Sequence, residues 1–164
     1  MNSVVIYASR YGNTRKIAEA IAEGLRPSGT AQIFAAEEAP TRLPEGTDLV
    51  VVGGPTEAHG MTEALAEVLH RIEAETLHGI AAAAFDTRLR WPRWLAGSAG
   101  VGAWNKLQSA GARMIAPAES FFVKKEEGAE KGDAPKLEPG ELERAIQWAT
   151  ALAEPAQSEP ATPH

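Results

Sequence analysis

Val4–Ala18 reads VVIYASRYGNTRKIA, and the change of pattern inside it decides the fold. Val4, Val5, Ile6 and Tyr7 are a continuous apolar run, as expected of a strand buried on both faces. From Asn13 the period changes. Ile17, Ile21 and Leu25 recur at every fourth residue, with Ala18 and Ala22 beside them, so one face of a helix is apolar. Pro27 and Gly29 end it. A strand, a polar glycine turn and a helix therefore follow one another directly.

The turn Ser9-Arg10-Tyr11-Gly12-Asn13-Thr14 offers hydroxyls, an amide and a glycine. Backbone N–H groups at a helix start converge on one spot, backed by the positive end of the helix dipole, and that suits a phosphate. Gly12 permits close backbone approach or a positive φ. Ser9 and Thr14 can donate hydroxyls to phosphate oxygens. The same residues also read as a plain N-cap turn, with Asn13 or Thr14 as cap and no ligand. The Gly-Lys-Ser/Thr ending of a Walker loop is missing, and the glycines do not fall as in the dinucleotide fingerprint.

The rest of the chain repeats the alternation. Strands are predicted over Thr30–Ala36, Asp48–Gly54 and Ile80–Phe85, with an interrupted fifth strand over Arg113–Ala116 and Ser120–Val123. Thr62 caps a helix with Leu65, Val68, Leu69 and Ile72 inward. Further helices are predicted over Ser98–Ala110 and from Glu141 to Ala153. Residues 124–138 read as a solvated excursion, and 154–164 as a disordered proline-rich tail after a single domain over 1–153. Five strands alternating with helices imply a parallel sheet covered on both faces, an α/β fold. Ligands bind such sheets outside the carboxyl ends of the strands, where loops 9–14, 54–61 and 86–97 lie.

Composition bounds the function. The 164 residues suffice for one substantial core, and 44% hydrophobic with 23% charged residues is a globular balance. A formal net charge of −6 disfavours a nucleic-acid binder working by bulk charge. With no cysteine, disulfides, thiolate-ligated metals and thiol catalysis are excluded. No secretory signal is visible and no apolar run approaches the ~20 residues of a membrane helix, so a soluble cytoplasmic protein, monomeric or weakly dimeric, is expected.

Three loops resemble those of flavodoxins. Ser9, Arg10, Tyr11, Gly12, Asn13 and Thr14 match the hydroxyl-rich turn ending Gly-Asn-Thr that grips the FMN phosphate. Gly53, Gly54, Pro55 and Thr56 match the loop after the third strand, which lines one side of the isoalloxazine and continues here through Glu57, His59, Gly60 and Met61. The resemblance implies a flavodoxin-like three-layer sandwich, a five-stranded parallel sheet of order 2-1-3-4-5. On the second loop His59, or else Met61, is placed to stack on the flavin, although His59 reads equally as an ordinary surface histidine. On the third loop, FDTRLRWPRW, Trp91 or Trp94 is implied as the other stack, with core packing as the alternative reading. Asp86 and Thr87 are implied at the ring edge, with Arg88 beside them.

Two features depart from the resembling family. Arg88, Arg90 and Arg93 stand where flavodoxins that act as carriers usually place acids, which implies a higher flavin potential if any of them faces the ring. The excursion 124–138 is short, as in short-chain flavodoxins, and the long insertion of flavodoxin-like quinone reductases is missing. Three functions follow: an FMN-dependent electron carrier with a redox partner protein, a small FMN oxidoreductase, or a binding module without flavin. The first is favoured, because no nicotinamide motif is visible. A phosphoacceptor receiver is disfavoured, because Gly53-Gly54 stand where its aspartate is needed.

Overall fold

The computed structural model describes residues 1–57, 60–92, 94 and 97–158. The strands are β1 (Asn2–Tyr7), β2 (Thr30–Ala35), β3 (Leu49–Glu57), β4 (Gly60–Met61), β5 (Ala81–Arg88), β6 (Arg113–Met114), β7 (Glu119–Lys124) and β8 (Lys136–Leu137). The helices are α1 (Asn13–Leu25), α2 (Glu63–Arg71), α3 (Ala74–Leu77), α4 (Ala99–Ser109) and α5 (Glu141–Gln157).

Across the sheet the order is β2-β1-β3-β5-β7, all parallel. This is the predicted order 2-1-3-4-5. The fifth strand comes in two pieces, because β6 and β7 both pair with β5. Two additions were not predicted. β4 folds back on the end of β3, and β8 on the end of β7, both antiparallel.

Period-two alternation divides the core between two faces. Val4, Ile6, Val50, Val52, Ala82 and Ala84 share one cluster with Leu65 and Val68 of α2 and Leu107 of α4. Val5, Leu49, Val51, Ala81, Ala83 and Phe85 share the other with Ile17 and Ile21 of α1 and Ala149 of α5. The alanine-rich β5 belongs inside the sheet, between β3 and β7, because small side chains let helices approach on both sides. Phe85 ends the alanine run, and its ring meets Phe121 and Trp148 edge-on at 6.2 and 6.4 Å.

The third strand, predicted to end at Gly54, runs on to Glu57, and Gly53 lies within it. A Cβ there would come within 2.3 Å of the Phe85 ring, so the glycine makes room for that ring. The last helix runs to Gln157, beyond the predicted end at Ala153, even though Pro155 lacks an N–H. Ala156 is buried, and Arg113 donates to the carbonyls of Pro155 and Ala156, both at 3.2 Å, which holds this turn in place. Among the described residues no helix is long and apolar enough to cross a membrane.

Candidate functional site

The first turn begins where β1 and β3 are still joined, the Ala8 N–H donating to Gly53 O at 3.0 Å. The Ser9 hydroxyl accepts from the Gly12 N–H at 3.1 Å. Gly12 itself is the residue before the helix, with φ 87°, a left-handed conformation that a side chain would strain. Asn13 and Thr14, the expected caps, are instead the first two helical residues. Asn13 donates through its amide to Pro135 O at 2.8 Å, and Thr14 is buried with its hydroxyl 2.7 Å from that of Thr87.

No side chain caps α1, and its first turn carries no acid. Among the described residues the N–H groups of Asn13, Thr14 and Arg15 meet no acceptor, and a Cβ built on Gly12 would touch nothing within 4 Å. The helix start therefore presents three parallel donors and its dipole to open space. Such a helix start can receive an anion.

Beside this helix start lies a crevice of about 120 Å³. Tyr11, Asn13 and Thr14 form one wall, Pro55–Glu57 a second, and Thr87, Arg88 and Leu89 a third. Val123 and Pro135 close the fourth side. Sequence reasoning missed these two and Leu89. Pro135 reaches the site only because the excursion folds back as β8, a contact with no local sequence signal. A second cavity of about 270 Å³ shares Arg10, Pro55 and Glu57 with the first. The two are divided by the Arg10–Glu57 ion pair, at 3.4 Å.

Several predicted site residues stand elsewhere. Asp86 is fully buried, and its Oδ2 accepts from the hydroxyls of Thr56 at 3.1 Å and Ser98 at 2.5 Å and from the Gly100 N–H at 3.0 Å. It fastens β3 to the start of α4 and does not face the crevice. The Thr56 hydroxyl also accepts from Ala99 N–H at 2.9 Å, so it too is spent on this joint. Gly60 pairs with Glu57, and Met61 packs against Gly102 of α4, away from the crevice. His59 and Arg93 lie outside the described residues. Trp91 and Trp94 are 57% and 86% exposed and line neither cavity, so core packing does not account for them.

The remaining arginines are restrained. Arg88 donates to Ser120 Oγ at 3.0 Å and Trp91 O at 2.8 Å, with Asp86 Oδ1 3.9 Å away to offset its charge. Arg90 is bonded to Glu138 and lies over the Phe122 ring, 4.1 Å from its centroid.

The flavodoxin domain model matches residues 4–89, which is more than half of the chain. The chain belongs to the flavodoxin domain family. No curated protein matches it in sequence. Three solved structures show the same fold. An archaeal flavodoxin superposes with a TM-score of 0.78 at 18% identity, over 96% of this chain and all of that one. Flavodoxin 1 from Bacillus cereus gives 0.71 at 20% identity, over 94% of this chain and 98% of that one. The rubredoxin oxygen:oxidoreductase of Desulfovibrio gigas gives 0.68 at 20% identity, over 95% of this chain but 36% of that one.

An FMN-type electron-transfer role is the property of this family, and the residues present fit FMN. The bare start of α1 suits its phosphate, and the crevice beside it is flanked by Pro55, Leu89 and the half-exposed Tyr11, which suit the edge of an aromatic ring.

Proposed function

We propose that this flavodoxin domain protein holds FMN across the crevice and serves as an electron carrier. The observation that carries the reading is the uncapped, acid-free start of α1 behind the left-handed Gly12. Asn13, Thr14 and Arg15 offer N–H groups to the phosphate. Tyr11 and Leu89 flank the ring on one side and Pro55–Glu57 on the other. FMN supplies the redox chemistry when bound, and the protein supplies position, exclusion of water and charge. The Asp86 joint to α4 keeps the two loop walls at a fixed separation. Of the two arginines lining the crevice, Arg10 is paired with Glu57 and Arg88 is offset by the buried Asp86 carboxylate.

The test is reconstitution. Purified protein mixed with FMN and then freed of excess flavin should retain one FMN per chain, seen as flavin absorption bands. Reduced chemically, it should pass electrons to an added acceptor protein but oxidise NADPH slowly by itself. Absence of the bands contradicts the reading. Rapid NADPH turnover on quinones would assign the protein to the enzymes.

A further inference from the structure

The segment Arg88-Leu89-Arg90-Trp91-Pro92 is free of acids and rises at the rim of the crevice. Trp91 is 57% exposed and Trp94 86% exposed. Among the described residues neither lines the crevice or the second cavity, and their exposure leaves them without a packing role in the core. Trp91 is held at the rim because Arg88, a crevice residue, donates to its carbonyl at 2.8 Å. Across the crevice Tyr11 is 50% exposed, with the Arg10 guanidinium 5.2 Å from its ring centroid.

The arginines are presented outward. Arg90 lies over Phe122, and its side chain is 62% exposed. It spends only Nε on Glu138, so among the described residues both of its terminal nitrogens remain free. Arg10 spends one terminal nitrogen on Glu57 and is also 62% exposed. Stacked, pre-oriented guanidinium forks match carboxylates, and Trp, Tyr and Arg are the residues that dominate protein interfaces.

We propose that Arg90, Trp91 and Trp94, with Arg10 and Tyr11 across the crevice, form the docking face for an acidic redox protein. The word redox rests on the FMN reading above; the docking face does not. Charge complementarity selects the partner. Glu57 and Glu138 engage one nitrogen each of Arg10 and Arg90, so the remaining terminal nitrogens are donors that incoming carboxylates can meet. An anionic membrane also attracts tryptophan and arginine, but a chain of net charge −6 is repelled by such a surface as a whole. A protein partner needs only local complementarity, and the face lies beside the electron source.

The test follows the indole N–H signals of Trp91 and Trp94 by NMR in the isotope-labelled full chain. Cytochrome b5 is the acidic probe and cytochrome c the basic one. Cytochrome b5 should shift both indoles, and its Kd should weaken by about tenfold or more between about 20 and 300 mM salt. Arg90→Gln and the double variant Trp91→Ser/Trp94→Ser should each weaken it by about tenfold, with folding checked by the unchanged remainder of the spectrum. Tighter binding of cytochrome c to the same indoles, or a Kd for cytochrome b5 within twofold in the variants, overturns the proposal. Vesicles rich in phosphatidylserine that perturb the indoles where cytochrome b5 does not would make the face a membrane contact and overturn it too. Flavin absorbance is read on the same samples. Cytochrome b5 binding without FMN uptake refutes the cofactor reading and leaves the docking face standing.

Discussion

Thr14 and Thr87 share a hydrogen bond between their side-chain hydroxyls at 2.7 Å, across 73 positions of the chain. It joins the first turn of α1 to the end of β5 under the crevice, and both residues are buried. One hydroxyl donates and the other keeps its own proton. Replacing either alone by valine strands a buried hydroxyl and should cost about 1–3 kcal/mol. The double variant Thr14→Val/Thr87→Val should cost less than the sum of the singles, because no polar group is left unpartnered. Urea unfolding of the four proteins measures this; strict additivity would mean that the pair does not interact.

Asp86 should be among the most sensitive positions. Its Oδ2 gathers the Thr56 and Ser98 hydroxyls and the Gly100 N–H. Asp86→Ala leaves one buried and two partly buried donors without their acceptor and should destabilise by about 3 kcal/mol or more. Asp86→Asn keeps one acceptor oxygen and should lose less. A neighbouring variant checks the same joint from the other side. A Cβ at Gly100 would lie 3.1 Å from Phe85 C and 3.3 Å from Asp86 Oδ2, so Gly100→Ala should cost ~1–3 kcal/mol by overpacking. Thermal unfolding that leaves Asp86→Ala within 1 °C of the parent, or about 0.3 kcal/mol, would contradict the assignment.

The order of strands and helices was legible because hydrophobic period carries it. Residues such as Ile17 and Ile21, or Val4 and Val5, report their own faces. The contacts that shape the site were not legible. Nothing near Gly53 in sequence announces the Phe85 ring that needs its space. The hairpin strands β4 and β8 are two residues long, too short for any period. The bond from Asn13 to Pro135 spans 122 positions, so the fourth wall of the crevice appears only in three dimensions. Trp91 and Trp94 are apolar in any sequence pattern, and only the fold shows them exposed.

Stability should fall on acidification, in part through Glu141. Burial pushes its carboxyl up, but hydrogen bonds from Arg144 and the Phe122 N–H, with the charges of Arg144 and Arg90, outweigh burial and hold it below the ordinary glutamate value. The unfolded chain then binds the proton more readily than the folded one. The contribution is present above the unfolded value of about 4.3 and is lost as pH falls through the lower folded value. Glu141→Gln should be less stable than the parent at neutral pH, and the gap should narrow below about pH 4. A gap constant between neutral and acid pH would show that Glu141 does not titrate with folding.

The aromatic at the flavin should be Tyr11, not Trp91. Tyr11 lines the crevice and Trp91 does not. Tyr11→Ala should weaken FMN binding by roughly 0.5–1.5 kcal/mol beyond the lost area, as aromatic stacking does. Trp91→Ala should leave it within about twofold, which is less than about 0.5 kcal/mol. Flavin fluorescence titrations of the two variants decide between them, and the opposite ranking would place the tryptophan loop over the ring.

The phosphate cradle is the centre of the account, and paired calorimetric titrations with FMN and riboflavin test it most directly. The two ligands share the isoalloxazine and ribityl groups and differ in the phosphate that Asn13, Thr14 and Arg15 would receive. Charge-assisted hydrogen bonds contribute about 1.5–3 kcal/mol each. FMN should therefore bind at least a hundredfold more tightly than riboflavin, a difference of about 2.7 kcal/mol or more. Equal affinities for the two, or no binding of either, would contradict the account.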